Sequence, residues 1–222
     1  MGWLRQVLGL EAPKPYRHIT RPLDEPELPC GVVLGCHVSL SPHLQRVFEG
    51  ETDLIVPDDD KVMAIGSLDA GQGSRLIRCY LDNEDYFIQF VMNGPRAIDI
   101  EATLLFGYHE VKALTNNAKL LRLMGPHSKI GMPYYELEGT EYARQWGAED
   151  GQTEMATLTE KVIHAEGSYV IQHNCMLYAR DLGLSNRREF LLFSAETDEL
   201  GTLSLSTAVG VTLQPSDLSI HQ

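Results

Sequence analysis

Cysteine is scarce in this chain, and its four thiols (Cys30, Cys36, Cys79 and Cys175) are scattered, with no C-x-x-C pair among them. That excludes a disulfide scaffold and the common zinc and dithiol modules, and it points to a reducing cytoplasm with free thiols. Long apolar runs are missing too. No stretch approaches the roughly 20 apolar residues that span a bilayer. The opening MGWLRQVLGL has Arg5 inside its apolar run and Pro13 and Pro15 soon after, unlike a secretory signal. Basic residues are outnumbered: 18 Lys and Arg face 31 Asp and Glu, a formal charge of −13. A field of that sign repels phosphate backbones and anionic bilayers. No nucleic-acid partner is expected, therefore, and at most weak peripheral contact with a membrane. The sequence also lacks G-x-S-x-G and H-E-x-x-H, so no catalytic residue, cofactor or metal is assigned.

What is present divides at residue 29. Trp3, Leu4, Val7 and Leu8 recur at helical spacing and predict a short amphipathic helix over the first ten residues. It is a candidate docking element for a membrane or a partner, or a piece that folds back on its own domain; both readings stand. Residues 11–29 carry five prolines and read as an extended linker. Residues 30–222 form one globular domain, long enough to bury a core without staples. CGVVLGCHVSL predicts a buried strand. A compact helix follows over residues 42–49, with Ser41 as cap, Pro42 in the first turn and Gly50 at its end. LIVPDDDK reads as a strand end running into an acidic turn, and residues 62–109 alternate as strands between polar turns. A second short helix starts at a Thr115 cap and stops at Gly125 and Pro126. PYYELEGTEYARQW then predicts a hairpin turning at Glu138 and Gly139. Residues 147–159 read as a polar loop ahead of three more strands. The class is α+β, a predominantly antiparallel sheet, sandwich- or barrel-like, with two short helices in the body.

The conspicuous motifs read as turns. GQGSRL lacks the third glycine of a dinucleotide fingerprint and runs into a strand rather than a helix, so no pyrophosphate site forms. Gly71 and Gly73 suit a turn needing positive φ, although Arg75 and the loop amides could also hold an anion. DNED, residues 82–85, has the length of a four-residue hairpin loop and not the spacing of a calcium loop. In YFIQFVM both faces are largely apolar, which places that strand inside the structure. Asn83, Phe87 and Phe90 share their spacing with Asn186, Phe190 and Phe193, an echo that fits either an internal repeat or chance. His173 and Cys175, two apart on a strand, share a face. Tyr142, Arg144 and Trp146 alternate on one face as well. They form either an aromatic and guanidinium surface for a ligand or partner, with Arg75 as a further candidate, or the inner side of a core hairpin.

Four stretches taken together resemble the YjfK-like family of bacterial proteins of unknown function: GSLDAGQGSRLIRCYLDNEDYFIQF, GPHSKIGMPYYELEGTEYARQWG, QHNCMLYAR and STAVGVTL. They cover the body from about residue 62 to residue 213. The resemblance implies a gene neighbourhood with phage-shock-protein-A-like membrane-stress proteins and small membrane proteins, and no catalytic residue. The expectation is a cytoplasmic accessory protein binding a protein partner, such as a phage-shock-protein-A-like one. The rival expectation is a small-molecule sensor or enzyme with a pocket near Tyr142, Arg144 and Trp146. Nothing in the sequence sets the oligomeric state.

Overall fold

A computed structural model describes residues 27–114, 116–147 and 150–221. The helix expected around Trp3, Leu4, Val7 and Leu8 lies outside the described residues. In chain order the elements begin with β1 (His37–Leu40), α1 (Leu44–Phe48), β2 (Asp60–Gly71), β3 (Ser74–Leu81), β4 (Tyr86–Asn93) and β5 (Ile100–Leu114). Next come α2 (Asn117–Met124) and a small hairpin, β6 (Tyr134–Leu137) and β7 (Thr140–Arg144). The chain ends with β8 (Ala156–His164), β9 (Gly167–Asp181), β10 (Arg188–Asp198), β11 (Leu203–Leu213) and β12 (Leu218–His221).

Eight of these strands close a barrel. β2 to β5 form one antiparallel meander and β8 to β11 another; β5 pairs with β11 and β2 with β8. Exchanging the two meanders maps each seam onto itself. The echo in the sequence falls on equivalent places: Asn83 and Asn186 sit in the β3–β4 and β9–β10 loops. Phe87 and Phe190 face the lumen, and Phe90 and Phe193 face outward. The turns are as the composition requires. Gln72 with Gly73, and Glu138 with Gly139, adopt positive φ at both central positions, the two-residue geometry that matches strand twist.

Strand alternation splits the core into three. Phe87, Leu104, Phe106, Val162, Ile171 and Leu192 point into the lumen. On one outer face Ile77, Ile88, Phe90 and Met92 are covered by the arm holding β1 and α1, through Val32, Val38, Leu44, Phe48 and Leu54. On the other, Met176, Tyr178, Leu191 and Phe193 are covered by α2 and the β6–β7 hairpin. Each buried Leu, Ile or Phe contributes about 1.5–3 kcal/mol, which makes the two layers part of the core rather than decoration. No helix among the described residues is long and apolar enough to cross a membrane.

Several boundaries differ from expectation. CGVVLGCHVSL yields only β1, because Cys30, Gly31 and Gly35 take positive φ and break the run. Residues 54–57 are not strand; Leu54 plugs the outer core instead. Asn116 caps α2 by accepting the Lys119 N–H, while Thr115 is outside the described residues. The Ser41 hydroxyl accepts from the His43 N–H at 3.5 Å, and α1 itself has no side-chain cap. The loop expected over residues 147–159 ends early: β8 starts at Ala156, and its Glu160 and Lys161 had masked the alternation.

Candidate functional site

Among the described residues, and apart from the buried Arg187–Asp217 pair, two places that gather polar side chains stand out. The first is the barrel lumen. Arg78 (β3), Glu160 (β8), His173 (β9), Ser194 and Glu196 (β10) and Ser206 (β11) are all buried. Glu160 is the hub. Arg78 Nη1 lies 3.2 Å from its Oε2, and the Tyr80 hydroxyl donates to its Oε1 at 2.8 Å. His173 Nε2 stands 2.7 Å from Oε2, an ion-pair distance without the alignment of a hydrogen bond. Arg78 Nε also donates to Gln89 at 3.0 Å, and its guanidinium lies over the Phe87 ring. Room for the hub comes from Gly66 on the neighbouring β2, where an added Cβ would meet Glu160 Oε1 at 1.6 Å.

Burial pushes the Glu160 carboxyl up, but the Arg78 guanidinium, with His173 and the Tyr80 hydroxyl, overrides it and holds the group below the usual carboxylate range. A depressed folded-state pKa stabilises the fold above the unfolded value, about 4.3, and that stability is lost as pH falls through the folded value. Urea unfolding at a series of acidic pH values should therefore show an acid limb that is shallower in Glu160→Gln. Equal limbs would show that the pair is not coupled to folding.

Ser194 Oγ, 2.9 Å from His173 Nδ1, gives the chain Ser194–His173–Glu160 the order of a serine–histidine–acid triad. It is sealed. Ser194 is 2 % exposed, His173 1 % and Glu160 0 %, so an ester or amide carbonyl cannot reach the hydroxyl. Apart from His173 Nε2, these lumen side chains hydrogen-bond one another, as a buried polar network requires. Ser206 closes it by donating to Glu196 at 2.8 Å.

The second place is a groove of about 180 Å³ on the barrel's outer wall. It lies between the arm at residues 53–55, the middle of β5 and the tip of the β6–β7 hairpin. Its floor is Glu189, 1 % exposed, which accepts from the Tyr142 hydroxyl at 3.0 Å and from Thr52 and Arg180 at shorter range. Arg180 Nη2 also donates to the Glu51 carbonyl. Burial and the Glu189 carboxylate push the Tyr142 hydroxyl well up, so it stays a donor. The rim carries Asp53, Ile55, His109 and Glu138, with His109 Nε2 3.9 Å from the Glu138 carboxylate. Three carboxylates thus face one guanidinium, His109 aside. The groove favours a cationic occupant.

A family model described as a protein of unknown function, DUF2491, matches residues 5–219. The chain belongs to the DUF2491 family. That agrees with the resemblance read from the motifs; no curated protein and no solved structure matches.

Of the site residues expected for this DUF2491 protein that lie among the described residues, only Tyr142 lines the groove. Arg144 shares its strand face, but its guanidinium binds the carbonyls of Gly131, Gly151 and Gly147. Trp146 Nε1 donates to the Glu154 carbonyl, and Arg75 to the carbonyls of Glu27 and Pro95. These three tie loops together at the places described. His173 and Cys175 do share a face, in the lumen, whereas Cys36 lies in the outer layer and Cys30 is exposed. The acidic loop 82–85 is a turn, with Asn83 Oδ1 accepting the Asp85 N–H. Arg78, Glu160, Arg180 and Glu189 were missed. For Arg78 the available signal was a charge flanked by apolar residues within a strand, as in LIRCYL; Glu160, Arg180 and Glu189 each stand beside another charged residue and carried no such signal.

Proposed function

We propose that this protein is a non-catalytic interaction protein that takes a basic segment of a protein partner in the acidic groove between Asp53 and Glu138. The observation that carries this is the combination of an open acidic groove with a lumen closed by its own side chains. A volume of about 180 Å³ is small beside the roughly 300–1,000 Å³ of metabolite pockets, yet suits one long side chain. The formal charge of −13 adds long-range attraction for a basic partner, which raises encounter rates. The setting is that of the YjfK-like resemblance: a cytoplasmic accessory of a bacterial envelope-stress system, with a phage-shock-protein-A-like partner as the first to try. In this reading residues 1–29 supply a second, weaker contact to that partner or to the inner membrane.

The test is capture from the native host on immobilised full chain, beside a bait carrying Asp53→Lys and Glu138→Lys. Both positions are at the surface, so the thermal midpoint should stay within about 2 °C. The expected result is a partner held by the natural chain and reduced at least tenfold on the reversed one. Equal capture on both baits would count decisively against the groove.

A further inference from the structure

Residues 109–114, the far half of β5, have β11 along one side and, among the described residues, no strand along the other. β4 runs out where Tyr86 pairs with Gly107. The last bond on that side is the Tyr108 N–H donated to the Asp85 carbonyl at 2.8 Å. Beyond it residues 109–113 are exposed on both faces of the sheet. Backbone N–H and C=O groups directed off a sheet edge are satisfied only by water or by another strand, and such an edge is a ready template for one.

The edge begins where the groove lies, because Gly107, Tyr108 and His109 are part of the groove's lining. Of the usual devices against edge pairing, a lysine and a bulge are present here and a proline is not. HEVKAL contains no proline, and its two opposite charges neutralise each other, Lys112 Nζ standing 2.6 Å from Glu110 Oε2. Val111, 48 % exposed, offers an apolar contact midway. The bulge between Thr207 and Ala208 in the β5–β11 ladder sits at the junction of the paired and unpaired halves, where the strand bends.

We propose that the partner binds by strand addition. An extended segment continues the line of β4, pairs its backbone with residues 109–114, and lowers a lysine or arginine side chain into the groove between Asp53 and Glu138. The inference rests on the groove reading above and adds the mode of recognition. Main-chain bonds to the edge supply affinity without regard to sequence. The groove supplies selectivity, because successive side chains of a strand point to opposite faces and one of them falls over the acidic rim. Three carboxylates against one guanidinium select a cation there.

The test is calorimetric titration of the full chain, at low ionic strength, with a blocked heptapeptide alternating arginine and valine. Two further forms are N-methylated, one on the arginine amides and the other on the valine amides. A strand bonded along a single edge uses every second amide, so one methylated form should lose at least tenfold in affinity while the other binds like the parent. The chain with Asp53→Lys and Glu138→Lys should bind none of them measurably. If both methylated forms keep the parent's affinity, or weaken equally, while charge reversal still abolishes binding, strand addition is overturned and the groove reading survives. If the parent peptide does not bind, or binds the reversed chain equally well, both fall.

Discussion

Replacing Glu160 by alanine is expected to lower the free energy of unfolding by about 3–5 kcal/mol, the usual result of breaking a buried ion pair from one side. In a domain of this size that corresponds to a fall of roughly 10 °C in the thermal midpoint. The reason is what stays behind. Arg78 is 4 % exposed, and Glu160 supplies its counter-charge; without it the guanidinium keeps Gln89 and the Phe87 ring but loses the carboxylate it is paired with. The Tyr80 hydroxyl and His173 Nε2 lose the same partner. The argument is about an orphaned charge rather than a lost attraction, and a companion variant separates the two. With Glu160→Leu and Arg78→Met together, most of the loss should be recovered, since apolar replacement of both partners removes the desolvation penalty along with the bond. Denaturant titration of the three chains gives the answer. A cost under about 1 kcal/mol for Glu160→Ala would mean that water reaches the lumen and that the carboxylate is not its electrostatic hub.

The part of this architecture that could be read from sequence is the part fixed by neighbours in the chain. The two faces of β4 follow from period-two alternation, and Phe87 and Phe90 do turn to different layers. The turn at Gln72 and Gly73 and the turn at Glu138 and Gly139 follow from the φ values those bends require. Closure of β2 onto β8 could not be read. It joins segments about a hundred residues apart, and the start of β8 fell inside the polar stretch expected to be a loop over residues 147–159. In a strand, a carboxylate pointing into a lumen and one pointing into water give the same alternating pattern. Only Arg78, reaching over from β3 on the far side of the intervening β2, tells them apart. The groove was illegible for a related reason. Thr52, Tyr142, Arg180 and Glu189 come from the arm and three different strands, and no spacing in the chain announces that they converge. Tyr142, Arg144 and Trp146 show the limit most clearly. Tyr142 and Arg144 do share a face of β7, but Trp146 lies past its end, and where a guanidinium ends is decided by carbonyls from loops that alternation does not describe.

The β5–β11 seam, which joins the two meanders, is where the second large effect is expected. Phe106 is fully buried, lies parallel to Phe87 with ring centroids 5.0 Å apart, and fills the space above Gly210 on the facing strand. Phe106→Ala should cost about 3–5 kcal/mol, because the stacked ring cannot follow and a cavity remains in the lumen. The same wedge explains why position 210 is glycine although its φ does not demand one. A Cβ there would stand 2.4 Å from the Phe106 Cδ1 atom, so Gly210→Ala alone should cost about 1–3 kcal/mol through forced displacement of the ring. Combined, the two changes should not add. Alanine at 106 vacates the space that a methyl at 210 needs, and the double variant should be more stable than the sum predicts by about 1–2 kcal/mol. Denaturant midpoints of the two single variants and the double measure the coupling directly. Additive losses would mean that the ring is not wedged between the seam strands.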